Sequence, residues 1–331
     1  MKRREFVLAA LAAACGRPSG THAQTTGKLK RLGWIGAGAD PKAADAALGE
    51  AFLGRMRELG WVEGRTIEFL RRRPGPQADE RRVEDVAREL AAQKVDLIFA
   101  PFGPHARVAR NVAGAIPVVF AIISDPVQSG LTTSLARPDR NATGPSTLFA
   151  NTWGARIQLL SEVVPSPRRI AVLMNPDVDW QNRQYEQIRE ACAKLHLAAL
   201  QAPVRRREDF EGAIERAVGE RADGLVYMAD GLYARDGSTL IDLIARTRLA
   251  AMHSGLEAVK IGGLMAYSVD TRDLMRKAAD YVDRILRGAS PSELPIERPT
   301  EIHLVLNLKT AKAQGITFSQ SLLLRADRVI E

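Results

Sequence analysis

The sequence is poor in the features that define special classes of protein. Two cysteines, Cys15 and Cys192, occur in 331 residues, too few for a disulfide scaffold. No apolar run reaches the roughly 18 residues that a membrane-spanning helix needs. The motifs G-x-x-x-x-G-K-S/T, H-E-x-x-H, C-x-x-C and G-x-S-x-G are all missing, which removes the usual signatures of phosphate loops, zinc peptidases, redox dithiols and serine hydrolases. Gly36-Ala37-Gly38 opens like a dinucleotide fingerprint, but Pro41 fills the third glycine position. His105, His196, His253 and His303 have no metal-ligand spacing. No catalytic residue, metal or cofactor is expected.

What is present suits a soluble globular protein: 46% hydrophobic and 26% charged residues, with 26 Gly and 17 Pro. At about 150 residues per domain the length suggests two domains. The net charge is +8, of which Lys2, Arg3, Arg4 and Arg17 against Glu5 supply +3. The basic runs Arg71-Arg72-Arg73 and Arg205-Arg206-Arg207 read as solvated faces, and no nucleic-acid partner is expected.

Residues 1–23 read as an export leader, a basic start followed by the short apolar run Phe6 to Ala14. Arg3-Arg4 with Phe6 resembles the twin-arginine form, although Lys2 replaces its usual Ser or Thr. Two processing routes fit. Thr21-His22-Ala23 offers a small-x-Ala cleavage site, and Ala13-Ala14-Cys15-Gly16 resembles the end of a lipobox, which would acylate Cys15. Cleavage after Ala23 leaves Cys192 as the single thiol, expected as a small buried hydrophobe.

From residue 29 onward short apolar runs alternate with longer amphipathic ones, the rhythm of βα units around parallel sheets. Strands are expected at 31–36, 65–71 (an edge strand), 96–100 and 117–123, with helices at 42–59, 79–93 and 105–112. The rhythm restarts with strands at 169–174, 197–201, 224–229 and 250–253, and helices at 153–163, 181–195, 207–220 and 239–248. Beyond these lie a strand at 262–268, a helix at 271–286 and a strand at 301–307. The fold class is α/β, with two doubly wound, Rossmann-like lobes joined by a hinge of several crossovers. The expected lobes are 28–145 plus about 264–292, and 146–263 plus about 296–331.

Open parallel sheets bind ligands beyond the carboxyl ends of their strands. The loops expected there supply Asp40, Phe102, Gly103, His105, Ser124 and Asp125 from the first lobe, and Asn175, Trp180, Asp230, Tyr233 and Ser254 from the second; Tyr267 follows in the next strand. Asp40-Pro41, Asp125-Pro126 and Asn175-Pro176 each place a capping side chain before a proline suited to a helix start. Helix N-termini converging on one cleft would favour a carboxylate. Phe102, Trp180, Tyr233 and Tyr267 are candidate ligand walls, Ser124 and Ser254 candidate hydrogen-bonding groups, and Asp125 or Asp230 candidates for a ligand amine. Trp180 and Tyr267 read equally well as core residues.

Several segments resemble the ABC transporter substrate-binding proteins of the tryptophan- and tyrosine-binding lipoprotein type. They are Arg57-Glu58-Leu59-Gly60-Trp61-Val62-Glu63-Gly64, Ile116 to Phe120, Asp125-Pro126-Val127, Ser134 to Pro138 and Asn141-Ala142-Thr143-Gly144, then Gly262 to Tyr267, Asn307 to Ala313 and Arg325 to Ile330. The resemblance implies a periplasmic-binding-protein type I fold, a monomer in the periplasm, a small-molecule ligand and an inner-membrane permease as partner. Where the family usually has Gly-Thr-Pro-Ala this chain has Phe102-Gly103-Pro104-His105, and Ser124 stands where Gly is usual. An aromatic or other organic acid therefore stands beside an amino acid as the expected ligand. A ligand-sensing partner of a membrane receptor shares this fold and leader, and a periplasmic enzyme is a further alternative. A repressor's effector core shares the fold but would carry a helix-turn-helix in place of the leader.

Overall fold

The computed structural model describes residues 29–36, 44–75, 80–147, 152–228 and 231–331. The leader, Asp40 and Asp230 lie outside them. The first part of the chain runs β1 (Lys30–Ile35), α1 (Ala44–Glu58), β2 (Ile67–Arg72), α2 (Glu80–Ala92), β3 (Leu97–Phe99), α3 (Gly103–Val112), β4 (Val118–Val119) and β5 (Ala142–Thr143). It continues with α4 (Trp153–Ser161), β6 (Arg169–Met174), α5 (Asp179–Lys194), β7 (Ala198–Pro203), α6 (Asp209–Gly219), β8 (Gly224–Tyr227), α7 (Gly231–Ala245), β9 (Ala250–His253), α8 (Leu256–Lys260) and β10 (Met265–Ser268). Last come α9 (Thr271–Leu286), β11 (His303–Asn307), α10 (Leu308–Gln314), α11 (Gln320–Arg325) and β12 (Arg328–Ile330).

Two sheets result, in the orders β2-β1-β3-β4-β5 and β12-β11-β10-β9-β8-β6-β7. Every pairing is parallel except β10 with β11. This is the α/β architecture the sequence rhythm indicates, and its cause is visible element by element. In α2 the buried residues Val83, Val86, Ala87 and Leu90 recur at helical spacing and form one stripe. In β6 all residues after Arg169 are buried, because helices cover both faces of the sheet. The alternating segment at 65–71 becomes β2, at the edge of its sheet. Each sheet has apolar clusters on both faces, one pair around Phe120 and Phe99, the other around Met174 and Phe210.

The expected break at 264 needs correction. β10 lies between β9 and β11 in the second sheet, its register set by Met265 opposite Leu306 and Ala266 opposite His253. The chain crosses back only after Ser268. Asp270 then caps α9 by accepting from the Arg272 N–H at 2.8 Å. α9 buries Met275, Ala278, Ala279 and Val282 against α1 and the first sheet. Trp61 donates its indole N–H to Asp283 at 2.8 Å, and Arg55 reaches Asp280 at 2.7 Å. The Gly60-Trp61 pair in the family-like segment is thus a fastener for the returning helix.

Other family-like residues are structural too. Asn141 donates to the carbonyls of Gly114 and Ile116, and Thr143 donates its hydroxyl to Leu294 O at 2.7 Å. Gly144 has φ +149°, and a Cβ there would sit 2.1 Å from Phe120 O. Asn307 caps α10 through Thr310 N–H.

Some elements differ from their expected extents. The strand expected at 117–123 shrinks to β4, with a separate bridge between Phe102 and Ile122. α7 begins near 231 rather than 239 and bends at Asp236; Leu240, Ile241 and Ile244 are buried along the part after the bend. Beyond 307 the chain adds α10, α11 and β12, and β12 extends the sheet beyond β11.

Candidate functional site

The two lobes touch beyond the carboxyl ends of β4 and β6. Gln184, 7% exposed on α5, donates its amide to Ser124 Oγ of the first lobe at 3.4 Å. Other buried polar side chains are Ser146 and Thr147 on the crossover after β5, Arg156 on α4, Gln181 on α5, and Ser268 at the end of β10. In a parallel α/β fold such side chains belong in loops or in a site, since burying them without partners is costly.

On the first lobe, Phe102 occupies the N-cap position of α3 without a side-chain cap, and Gly103 follows as its first residue. The ring of Phe102 meets that of His105 edge-on, with centroids 6.3 Å apart. Both rings are half-buried. Nδ1 of His105 is buried without a hydrogen-bond partner, and burial pulls the imidazole pKa down to about 4, so His105 is neutral at physiological pH. Phe102 also lines a cavity of about 190 Å³ with Trp34, Leu48, Leu53 and Met275, rimmed by Arg71 to Arg73.

The acidic and amide candidates are committed to their own turns. Asp125 accepts the N–H groups of Val127 and Gln128 on one oxygen, both at 2.9 Å. Asn175 accepts from Asp177 N–H at 3.0 Å, three residues ahead of the Val178 cap of α5. Neither Pro126 nor Pro176 is the first residue of a helix.

On the second lobe, Trp180 packs, half-buried, against the core beneath α5, and Tyr267 does the same from β10. Tyr233 is a correction: at 6% exposed it stacks on Phe210, centroids 5.8 Å apart, and leans on Tyr227 at 4.8 Å. It fills the core because its position in the first turn of α7 turns the ring toward β8, not into the cleft. Below the cleft, His253 is 1% exposed and shares a hydrogen bond with Tyr227 Oη at 2.9 Å. Gly263 leaves it room, since a Cβ there would lie 2.7 Å from the imidazole. Burial lowers the His253 pKa to about 4.

Ser254 and Tyr267 are brought together by a residue the sequence reading passed over. Arg156, 1% exposed, donates Nε to Tyr267 O at 2.9 Å and Nη2 to Ser254 O at 3.4 Å. Its guanidinium carbon lies 5.0 Å from the centroid of Trp153. A signal existed. Residues 153, 156, 157 and 160 have the spacing of a buried helical stripe, and an arginine on such a stripe is out of place unless it serves a polar site.

The two-sheet α/β fold has counterparts among known proteins. The profile of the family described as ABC transporter substrate binding protein matches residues 56–330. The chain belongs to that family. This substrate-binding protein is 23% identical over 264 residues to a tyrosine-binding protein of Clostridioides difficile (strain R20291), a match covering 80% of this chain and 75% of the relative. Among solved structures, a conserved domain protein from Vibrio cholerae superposes with a TM-score of 0.83 at 24% identity, covering 91% of this chain and 100% of that one. An ABC domain from Streptococcus pneumoniae in complex with L-Trp gives a TM-score of 0.81 at 21% identity, with the same coverage. A ligand-free, open substrate-binding protein with adhesive properties from Clostridium difficile gives 0.67 at 23% identity, covering 91% and 99%. These likenesses establish a fold of the periplasmic-binding-protein type I kind. No helix of the described residues is long and apolar enough to cross a membrane, and no group of three or more His, Cys, Asp or Glu among them is arranged to hold a metal.

Proposed function

We propose that the protein is the extracytoplasmic receptor of an ABC importer. It takes a small organic molecule, an amino acid or an aromatic or other organic acid, between its lobes and hands it to an inner-membrane permease. The observation that carries this reading is the Gln184–Ser124 contact, which joins a buried amide of one lobe to a half-buried hydroxyl of the other beyond the carboxyl ends of their sheets. Ligands in open α/β sheets bind there, and a cleft between two lobes closes around them by hinge motion. The lobes are 29–147 with 270–298, and 152–268 with 303–331, so three chain crossings form the hinge.

Membership of the substrate-binding family and the tyrosine and L-Trp in the descriptions of its relatives support an amino acid or a similarly sized acid. The leader-like residues 1–23 support a place outside the inner membrane. The test is native mass spectrometry of protein purified from its host, followed by thermal-shift and calorimetric titration with the co-purifying molecule and a panel of amino acids and organic acids. A small molecule retained at one per chain, raising Tm on re-addition, is expected. A ligand-free protein that no member of the panel stabilises would refute the reading.

A further inference from the structure

Two side-chain bonds join the lobes beside the hinge. The first chain crossing leaves the first lobe at Thr147, whose N–H and hydroxyl both donate to Ile123 O, at 2.7 and 3.1 Å. This fixes the Ser124 loop against the crossing. From the second lobe, Gln184 Nε2 donates to the neighbouring Ser124 Oγ at 3.4 Å. Its helix is anchored one turn earlier, where Gln181 Oε1 accepts the Asn175 N–H at 2.7 Å.

The second crossing leaves β10 at Ser268 and enters α9 at its cap, Asp270. In the first turn of α9, Arg272 sets Nη2 3.5 Å from Glu257 Oε1 on α8 and Nε 3.6 Å from Asp270. Lys260 holds the same Glu257 oxygen at 2.6 Å from within α8. Helix α8 follows β9 in the second sheet, whereas α9 packs on the first, so this ion cluster also reaches from lobe to lobe. The two bonds differ in kind. Gln184 is buried and the pair is neutral, but the Arg272 and Glu257 side chains are 42% and 53% exposed and charged, so salt weakens only the second. Swinging one lobe about the crossings carries bonds within a lobe along with it. Bonds that span the lobes stretch and break.

We propose that Ser124–Gln184 and Arg272–Glu257 are hinge braces that hold the two lobes in the orientation seen here before any ligand enters, and that the ionic brace makes this orientation sensitive to salt. The lobes then rest closed and must open to admit a ligand, so that ligand meets a protein already biased toward the binding orientation. The purpose of such braces rests on the receptor reading above. Their existence is tested without ligand.

The experiment is small-angle X-ray scattering of protein refolded from urea and dialysed free of small molecules, in about 0.05 M and about 1 M NaCl, with each profile fitted to closed and open populations. At low salt the parent should match the lobe arrangement seen here. The double variant Gln184→Leu, Glu257→Gln should raise the ratio of open to closed forms by about fivefold or more, and high salt should move the parent the same way by a smaller factor. Glu220→Gln, which removes the exposed Arg216–Glu220 pair within α6, should leave the profile of the parent unchanged. Should the double variant fail to fold, Ser124→Ala with Glu257→Gln removes the same two bonds with less disturbance of α5. A parent that is open at low salt would overturn the proposal, as would a double variant whose populations coincide with those of the parent at both salt concentrations. Either result leaves the receptor reading standing if a co-purified molecule still raises Tm. A closed parent opened by the two substitutions upholds the braces even if no ligand is found.

Discussion

His253 makes the second sheet sensitive to acid, and the size of the effect follows from its surroundings. The imidazole is 1% exposed and bonded to Tyr227 Oη at 2.9 Å, and burial lowers its pKa from 6.5 to about 4. In the unfolded chain it takes up a proton near pH 6.5, whereas the folded chain resists until about pH 4. The unfolded state therefore binds more protons between these values. Stability is full above pH 6.5, falls as pH drops toward 4, and levels off below. At 1.36 kcal/mol for each unit, the whole loss is about 3 kcal/mol. The half-buried His105 contributes in the same direction, so His253 must be isolated by substitution. Urea midpoints of the parent and a His253→Gln variant at pH 7 and pH 4.5 do so. The stability gap between parent and variant should shrink by about 2–3 kcal/mol on acidification. An unchanged gap would refute a buried neutral His253.

Other consequences are simpler to measure. Gly144→Ala forces a Cβ into Phe120 O at a backbone angle that L side chains rarely adopt; a loss of about 3 kcal/mol or more is expected in urea unfolding, with β4 and β5 the first region to exchange amide hydrogens. Trp61→Phe removes the bond to Asp283 and should cost about 1 kcal/mol, with increased hydrogen exchange along α9. Cys192 is fully buried and its thiol pKa is pushed up to about 11; it should ignore Ellman's reagent in the native protein and react fully in denaturant.

The strands and helices were legible because both sheets are covered on two faces, so their strands appear as continuous apolar runs between amphipathic segments. Which sheet a late strand joins was not legible. Met265 to Ser268 carry no local mark of their partners, and the antiparallel pairing with β11 comes from residues about 40 positions away. The cleft loops were legible as loops, but the roles of their side chains were less so. Asp125 and Asn175 have residue types that suit a ligand and a turn equally, and their bonds go to the turn. Tyr233 follows a cleft strand in sequence yet turns inward, because one residue of offset on a helix rotates a side chain by about 100°. Arg156 was the opposite case. It lies in a stretch dominated by apolar residues, and its role appears only when β9 and β10 bring Ser254 and Tyr267 to it.

The central claim is that the two lobes hold a small organic molecule between the carboxyl ends of their sheets. A crystal structure of the protein with its co-purified or titrated ligand tests this most directly. The account predicts the ligand at the junction of the lobes, beside Ser124 and Gln184. A ligand seated away from the carboxyl ends of both sheets, with the junction of the lobes vacant, would contradict it.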